Sequence, residues 1–313
     1  MPPKISVCIP VKNGGAFLPL AVESVLAQSL DDTELVIVDN CSTDGTAQWI
    51  EQRTARAPRI RFYRNSTDIG MTANFNACLK QAQGEYVKFL CADDLLLPQS
   101  LQRMSRVLDD DPRVSLVVGA RRLIDESGAK IATRRYARRD MSVPGLKVIN
   151  RCLFGGNDIG EPSAVMFRRA AARRGFQESL LQLMDLEMWF YLLEHGDLAS
   201  LADEVCAIRR HPGQITRGSI ATGTLIDENI ALFEDYGGRP YIKKTWFNMT
   251  MRKARIAYRV WLCRDSLTIE KRNAILAAHS SRPFYFLLLP VMAAGLAIWR
   301  GLGAAVRSSV RAS

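Results

Sequence analysis

Carboxylate and amide side chains follow three apolar segments of strand length. Asn13 comes after the run that ends at Pro10, Asp39 ends the second run, and Asp93 and Asp94 follow the run at 86–91. A carboxylate at the free end of a strand can accept a hydrogen bond from a nucleobase ring. Two adjacent carboxylates are costly together unless a cation or hydrogen-bond donors neutralise them. Mg²⁺ and Mn²⁺ prefer such oxygen ligands. The pattern therefore indicates a ligand site at these strand ends, with a divalent cation as the natural partner of Asp93 and Asp94.

Each of these residues also has a purely structural interpretation. Asp39 precedes Ser42 and Thr43, so it can form a turn or cap a helix. Asp93 and Asp94 can belong to a surface turn before a helix. We expect Asp44 to cap the helix that follows it.

Apolar runs alternate with segments of helical period along the first two thirds of the chain. The predicted strands are Ile5–Pro10, Glu34–Asp39, Arg59–Arg64, Tyr86–Cys91, Val114–Gly119 and Asp203–Arg210; helices are predicted around 17–25, from 44, around 75–82, 101–108 and 184–194. This alternation is typical of an α/β protein with a mostly parallel sheet, helices on both faces and a ligand site beyond the carboxyl ends of the strands. The Arg-rich segment around Tyr136 is predicted to be a mobile loop.

Composition and cysteine usage exclude several protein classes. A chain of 313 residues with 48% hydrophobic and 24% charged residues is not a disordered protein. Seven scattered cysteines without a C-x-x-C pair favour neither a disulfide scaffold nor a zinc module. The amino terminus lacks the pattern of a signal peptide, so a cytoplasmic location is expected.

The positive charge is concentrated near the carboxyl terminus. Residues 239–313 hold 14 Lys and Arg but only two acidic residues, whereas the whole chain has a net charge of +10. A basic segment beside apolar stretches favours an anionic membrane surface over nucleic acid. A helical wheel places Ile242, Trp246, Met249, Ile256 and Val260 on one face, with Lys244, Arg252, Arg255 and Arg259 roughly opposite. Pro283–Trp299 is too short for a confident membrane span, and both segments can alternatively pack as ordinary helices.

Several spaced motifs occur in a specific order. A strand ends in Pro10-Val11-Lys12-Asn13, Ser24 precedes Gln28 by four residues, and the next strand ends in Asp39-x-x-Ser42-x-Asp44-x-Thr46. In this order the sequence resembles family 2 glycosyltransferases, over roughly residues 4–216. The resemblance implies the GT-A fold, a Rossmann-like mixed sheet flanked by helices. It implies a nucleotide-sugar-binding half at 1–98, an acceptor-binding half at 99–216 and a basic helical extension at 217–313.

The resemblance assigns roles to residues of the donor side. Asp39 would hold the base, and the turn from Pro10 through Val11 to Asn13 would hold the nucleoside. Gly70 and Asn74 match a G-x-x-x-A/G-x-N motif that contacts the donor, although a turn and a helix start explain them equally well. Asp93 falls on the last Asp of the D-x-D motif, which binds Mn²⁺ or Mg²⁺; Cys91 stands at its first Asp, and Asp94 can compensate. His211, in an H-x-G-Q-x-T/S motif, would reach the diphosphate or the metal.

The resemblance places the catalytic base on Asp185, at the start of a helix. An inverting transfer needs a base that removes the acceptor hydroxyl proton, and Glu187, two residues on, is expected to point elsewhere. A favourable interaction of Asp185 with the helix dipole is the structural alternative.

The implied activity is metal-dependent, inverting transfer from a nucleotide sugar, most simply a UDP sugar. The acceptor would be a glycan or a lipid-linked glycan of cell-surface polysaccharide or lipopolysaccharide, reached from the cytoplasmic face of the membrane. A non-catalytic nucleotide-sugar-binding protein and a nucleotidyltransferase are the alternatives. Because no G-x-G-x-x-G follows a strand, a dehydrogenase is not favoured.

Overall fold

The computed structural model describes residues 2–211, 213 and 223–279. These residues belong to two compact units that divide between Gln214 and Ile215. The first unit contains a large sheet with helices, and the second is helical.

The first unit is built on one mixed sheet. Its strands are β1 (Ile5–Val11), β2 (Thr33–Asp39), β3 (Ile60–Arg64), β4 (Tyr86–Phe89), β5 (Leu95–Leu96), β6 (Val114–Ile124), β7 (Lys130–Arg134), β8 (Met141–Val143), β9 (Val165–Arg168) and β10 (Asp197–Arg209). The sheet order is β3-β2-β1-β4-β9-β6-β10-β5, with β7 paired to β6 and β8 paired to β10. Strands β1 to β4 pair in parallel, as do β6 and β10. The predicted mixed, mostly parallel α/β fold is confirmed, and one sheet runs through both of the expected halves.

The helices of this unit cover the sheet. They are α1 (Phe17–Leu26), α2 (Thr46–Thr54), α3 (Met71–Gln81), α4 (Ser100–Asp110), α5 (Gly145–Gly155) and α6 (Met184–Leu193). Strands β1 and β2 are almost completely buried along their length, as expected for parallel strands that are covered on both faces. Helix α4 buries Leu101, Met104 and Leu108, the three positions that its sequence period predicts.

The chain topology brings the chemically interesting strand ends to one edge. In the parallel ladder, Val11 at the end of β1 pairs with Asp39 at the end of β2, and Phe89 at the end of β4 pairs with Cys8 in β1. Strand β5 begins just after Asp94 and pairs with Cys206 and Ala207 of β10. The residues that follow β10 therefore lie close to the residues that follow β4.

The Arg-rich segment forms a loop at 135–140, as predicted, but the two strands that flank this loop were not predicted. Arg134 ends strand β7, which forms an antiparallel hairpin with β6, and β8 follows after a short loop. Both strands are short and largely exposed, so they lack the apolar alternation that identifies strands in a sequence. Strand β10 also begins earlier than predicted, at Asp197.

The second unit contains helices α7 (Thr224–Gly237), α8 (Trp246–Leu262) and α9 (Ile269–His279). Ile226, Ile256, Val260 and Ile275 belong to one buried cluster. The helical character predicted for this region is confirmed for these residues.

The predicted division of α8 into an apolar and a basic face holds only in part: Ile256 and Val260 are buried on one face, but two other residues differ from the prediction. Trp246 is 82% exposed, whereas Arg252, expected on the solvent side, is 8% exposed. The Arg252 guanidinium lies 3.8 Å from the centre of the Phe233 ring. Arginine can occupy a buried position because its aliphatic stem packs against apolar groups and its guanidinium stacks on an aromatic ring. A helical wheel that only separates apolar from charged residues places such an arginine on the solvent side.

Within the described ranges, no helix has the length and apolar character needed to cross a membrane. The segment Pro283–Trp299 lies outside those ranges, as does Gln214 of the H-x-G-Q-x-T/S motif.

Candidate active site

Asp39 is a fully buried carboxylate at the end of β2. The backbone N–H of Ser42 donates to both of its oxygens at 3.2 Å, and the Ser42 hydroxyl donates as well. The Arg64 guanidinium, half exposed, places Nε 3.1 Å from Asp39 Oδ2. The turn-forming role expected as an alternative for Asp39 is therefore present, together with a cationic partner that the sequence did not indicate.

The loop after β1 is held against the loop after β2. Asn13 has a left-handed backbone with φ of 53°; its N–H donates to the Ser42 hydroxyl at 2.8 Å, and its side-chain oxygen accepts from the Thr43 N–H at 2.9 Å. The Val11 carbonyl accepts from the Asn40 N–H at 2.7 Å. Asp44 accepts from the Thr46 N–H at 3.1 Å, at the first residue of α2, although Gly45 and not Asp44 occupies the N-cap position. These bonds fix the strand-end loops relative to each other.

Asn74 and Gly70 lie at the start of α3, beside the same strand ends. Asn74 is buried, donates to the Val38 carbonyl at 3.1 Å and accepts from Asn65 at 3.0 Å. Gly70 has φ of 86°, a conformation that favours glycine. The Asn74 amide therefore bonds to the protein itself, and its contacts are those of a residue that positions the strand ends. Of these two residues, only the backbone of Gly70 is exposed enough to approach a ligand.

Asp93 and Asp94 have different environments. Asp94 is 2% exposed; its two oxygens accept from the Ser163 hydroxyl at 2.6 Å and from the Arg209 N–H at 2.9 Å. Burial, and then the charge of Asp93, raises the pKa of Asp94 well above its usual range. The Asp93 side chain is 28% exposed, and its Oδ2 lies 3.0 Å from Nε2 of His211. The structure thus brings together two predicted metal-site residues that are 118 positions apart in the chain.

The side-chain ligand atoms of Cys91, Asp93 and Asp94 all lie within 4.8 Å of one another. Asp93 offers a partly exposed carboxylate, the type of ligand that Mg²⁺ and Mn²⁺ prefer, and such ions commonly need few protein ligands besides substrate phosphates. Asp94 already accepts two hydrogen bonds, so it compensates less for Cys91 than the sequence suggested. The donor set fits a hard divalent cation held mainly by Asp93.

Lys88 is bonded to the same residue, Ser163, that donates to Asp94. The sequence motifs did not point to this lysine. It is fully buried in β4, and its Nζ donates to the carbonyls of Ser163 at 2.5 Å and Phe89 at 2.9 Å. Burial lowers the pKa of Lys88 to about 8. A lysine in the middle of an apolar strand is itself a recognisable sequence signal.

Asp185 lies in the first turn of α6 and is partly exposed. Its Oδ2 accepts from the Asn157 side-chain amide at 3.4 Å. Glu187 is buried and pairs with Arg174, which confirms that it points away from Asp185. Asp185 is therefore the accessible carboxylate of this helix start.

The segment 157–163 connects Asp185 with the Asp94 cluster. Asn157 bonds to Asp185 at one end, and Ser163 bonds to Asp94 at the other. Between them, Glu161 places its two oxygens 2.7 Å from Arg121 Nε and 2.9 Å from Arg210. The segment therefore joins the two candidate regions through direct hydrogen bonds.

Residues 6–176 match the model of the glycosyl transferase family 2. This match spans more than half of the chain. The chain belongs to glycosyl transferase family 2.

Curated relatives agree with this assignment. The chain is 35% identical to an uncharacterized Mycobacterium tuberculosis protein, MT1568, over 67% of either chain. It is 29% identical to the putative glycosyltransferase EpsE of Bacillus subtilis, over 62% of this chain and 68% of EpsE. Glycosyl transfer is therefore the reaction class of this family 2 member.

Solved structures share its fold. S. aureus TarS in complex with UDP-GlcNAc has a TM-score of 0.66 at 17% identity, over 86% of this chain and 77% of the TarS chain. The mannosyltransferase PcManGT of Pyrobaculum calidifontis, in complex with GDP-Man and Mn²⁺, has a TM-score of 0.59 at 18% identity, over 95% of this chain and 81% of that chain. The family 2 chain thus has the GT-A fold that its sequence motifs implied.

Proposed function

We propose that this family 2 protein transfers a sugar, with inversion, from a nucleoside-diphosphate sugar to a hydroxyl group of a glycan or lipid-linked acceptor. The observation that carries the proposal is the pair formed by Asp93 and His211, at the same sheet edge as Asp39. Ligands of open α/β sheets bind at this edge.

The donor nucleoside is proposed to bind across the ends of β1 and β2. Pro10, Val11 and Asn13 would line one side of the nucleoside, and Asp39, with Arg64 beside it, would accept from the base. We propose a UDP sugar, since the fold is shared with a protein solved with UDP-GlcNAc; GDP sugars are the alternative, because another such protein was solved with GDP-Man.

Mn²⁺ or Mg²⁺ is proposed to be held by Asp93, with His211 beside it. Such a cation neutralises the negative charge that develops on the leaving diphosphate. His211 would donate from Nε2 or Nδ1 to a phosphate oxygen or hold Asp93 in position. Asp94, bonded to Ser163 and to the backbone of Arg209, keeps the turn that carries Asp93 rigid.

Asp185 is proposed to be the base. Its carboxylate would take the proton of the acceptor hydroxyl as that oxygen attacks the anomeric carbon. The Asn157 amide, which donates to Oδ2, and the Leu186 N–H, which donates to Oδ1 at 2.6 Å, would hold the carboxylate in place for this step. Attack from the face opposite the leaving group inverts the anomeric centre.

The test is donor binding and hydrolysis over a panel of UDP, GDP and dTDP sugars, with and without Mn²⁺ or Mg²⁺. Wild type is expected to bind one donor in a cation-dependent way, and Asp93→Asn is expected to lose the cation response. Asp31→Asn serves as the matched control, because Asp31 is an exposed acidic residue just before β2, at the end of the strand opposite Asp39. If the cation changes nothing in the wild type, the proposed metal role is wrong.

Cys91 favours one second candidate, a binding protein without turnover, because it replaces the first Asp of the D-x-D motif. Donor binding without detectable hydrolysis or transfer, in the presence of either cation, would support that candidate over the enzyme.

We further propose that the second unit associates with an anionic membrane surface. Trp246 and Phe247 are 82% and 67% exposed at the start of α8, and Lys243 and Lys244 precede them directly. Exposed aromatic side chains beside lysines are typical of interfacial helices. Sedimentation with phosphatidylglycerol vesicles, compared with phosphatidylcholine vesicles, should fall several-fold in the variant Trp246→Ser/Phe247→Ser and stay unchanged in Leu262→Ser, at the other end of the helix. Equal sedimentation of all three proteins would contradict this location.

A further inference from the structure

A cavity of about 710 Å³ lies beside the β6–β7 hairpin. Four arginines line it, Arg121, Arg134, Arg135 and Arg138, and its other lining residues include Asn157. Asn157 also donates to Asp185. The side chain of Asn157 therefore links the cavity to the proposed base, Asp185.

The arginines are held close together by the sheet. Arg121 in β6 pairs directly with Arg134 in β7, and residues directly opposite in an antiparallel pair extend to the same face. Like charges in this arrangement destabilise a sheet. Arg135 and Arg138 follow within four residues, so the hairpin concentrates positive charge at one wall of the cavity.

Protein carboxylates offset little of this charge. Arg121 is matched by Glu161 at 2.7 Å, and Asp158, the acidic residue of the lining, is paired with Arg151 at 2.8 Å. Among the described residues, Arg134, Arg135 and Arg138 form no ion pair. The residues outside the described ranges contain no Asp or Glu side chain, so they supply no acidic partner either.

We infer that this cavity binds an anionic group of the acceptor, a phosphate ester, while the acceptor hydroxyl lies at Asp185. Guanidinium groups bind phosphate through paired, charge-assisted hydrogen bonds. An anion among Arg134, Arg135 and Arg138 would relieve their mutual repulsion. The inference rests on the proposed function and names the acceptor class for it: a phosphorylated glycan or a lipid phosphate, not a neutral sugar.

The experiment measures binding of two phosphate probes and their neutral counterparts. Glycerol 3-phosphate is compared with glycerol, and farnesyl phosphate in detergent is compared with farnesol. The proteins are the full chain, the variant Arg134→Gln/Arg138→Gln, and the control Arg56→Gln/Arg106→Gln. The control removes the same charge at two exposed arginines away from the cavity lining. Binding of a UDP sugar is measured on each protein as well.

We expect saturable binding of a phosphate probe to the wild type and the control, at least about tenfold weaker binding to the cavity variant, and no change in donor binding. Tighter binding of farnesyl phosphate than of glycerol 3-phosphate would identify a lipid carrier as the source of the phosphate. Equal affinity would identify a soluble phosphorylated glycan. Either result supports the inference.

Three results would overturn it. The wild type binds neither phosphate probe, or the cavity variant binds them as well as the control does, or the cavity variant loses the UDP sugar together with the probes. The last result would mean that the arginines serve the donor diphosphate. A wild type that binds the phosphate probes but no nucleotide sugar would refute the proposed function while leaving the phosphate site established.

Discussion

The two sides of the candidate site differ in how their charges are balanced. On the strand-end side, Asp39 and Asp94 are buried, and every carboxylate oxygen accepts a hydrogen bond from the protein. On the hairpin side, Arg134 and Arg138 are exposed and lack ion-pair partners among the described residues. The strand-end side is therefore organised before any ligand binds. The hairpin side instead leaves cationic groups with which an anionic ligand can pair.

The largest effect is expected where the two sides meet, at Asp185. Asp185→Asn preserves size and one acceptor oxygen but removes the proton acceptor, so the kcat of transfer should fall by about 10³-fold. The dissociation constant of the donor should stay within about twofold, because Asp185 belongs to the acceptor side. Parallel measurement of transfer and donor binding checks both. A variant that loses donor binding as strongly as transfer would break the proposed division of the site.

Ser163 tests the rigidity of the strand-end side. Its hydroxyl donates to Asp94 and accepts from the Cys91 N–H at 2.9 Å, so Ser163→Ala leaves buried polar groups without a partner. We expect a loss of about 1–3 kcal/mol in the free energy of unfolding, measured by urea denaturation. Ser179→Ala, at an exposed position, should change it by less than about 0.5 kcal/mol. Equal stability of the two variants would mean that this network contributes little.

Glu204 tests whether ion pairs stabilise the β6–β7 hairpin, because its carboxylate pairs with Arg122 and Lys130. Burial acts to raise its pKa, but hydrogen bonds from Lys130, Thr133 and Arg122 outweigh burial and lower the pKa of Glu204 to about 2. The depressed pKa means that the ionised form stabilises the fold at neutral pH, and that this contribution is lost as pH falls from about 4.3 toward 2.

Glu204→Gln should therefore cost about 1–2 kcal/mol at pH 7, and the difference from wild type should shrink between pH 4 and pH 3. Urea denaturation at these pH values measures it. Glu126→Gln, at an exposed position on the same hairpin, is the matched control. A difference that does not depend on pH would exclude the ion-pair explanation.

The smallest effect is expected at Cys91. A hard cation prefers the Asp93 carboxylate to a sulfur ligand, so Cys91→Ser should change the Mn²⁺ concentration for half-maximal donor binding by less than about threefold. A change of tenfold or more would show that the thiol is a ligand of the metal. The hydrogen-bonded carboxylates would then not be the only groups that organise the strand-end side.

The sequence alone predicted the elements with strong apolar periodicity. Strands β1, β2 and β4 and helix α4 lie where their patterns indicate, because burial on one or both faces leaves a clear period in the chain. It also placed Asp39, Asp93 and Asp185 at element ends, where parallel topology brings strand ends to one edge.

Only the tertiary structure decided the partners of these residues. The contact between Asp93 and His211 depends on the pairing of β5 with β10, and the arginine wall depends on the register of Arg121 with Arg134. The first pairing joins residues that are far apart in the chain, and the second involves a short exposed strand. In neither case does the hydrophobic period of the sequence indicate which strands pair. The role of Asn74 within the protein, the inward turn of Asp94 and the burial of Arg252 follow from packing in three dimensions, which local sequence patterns do not encode.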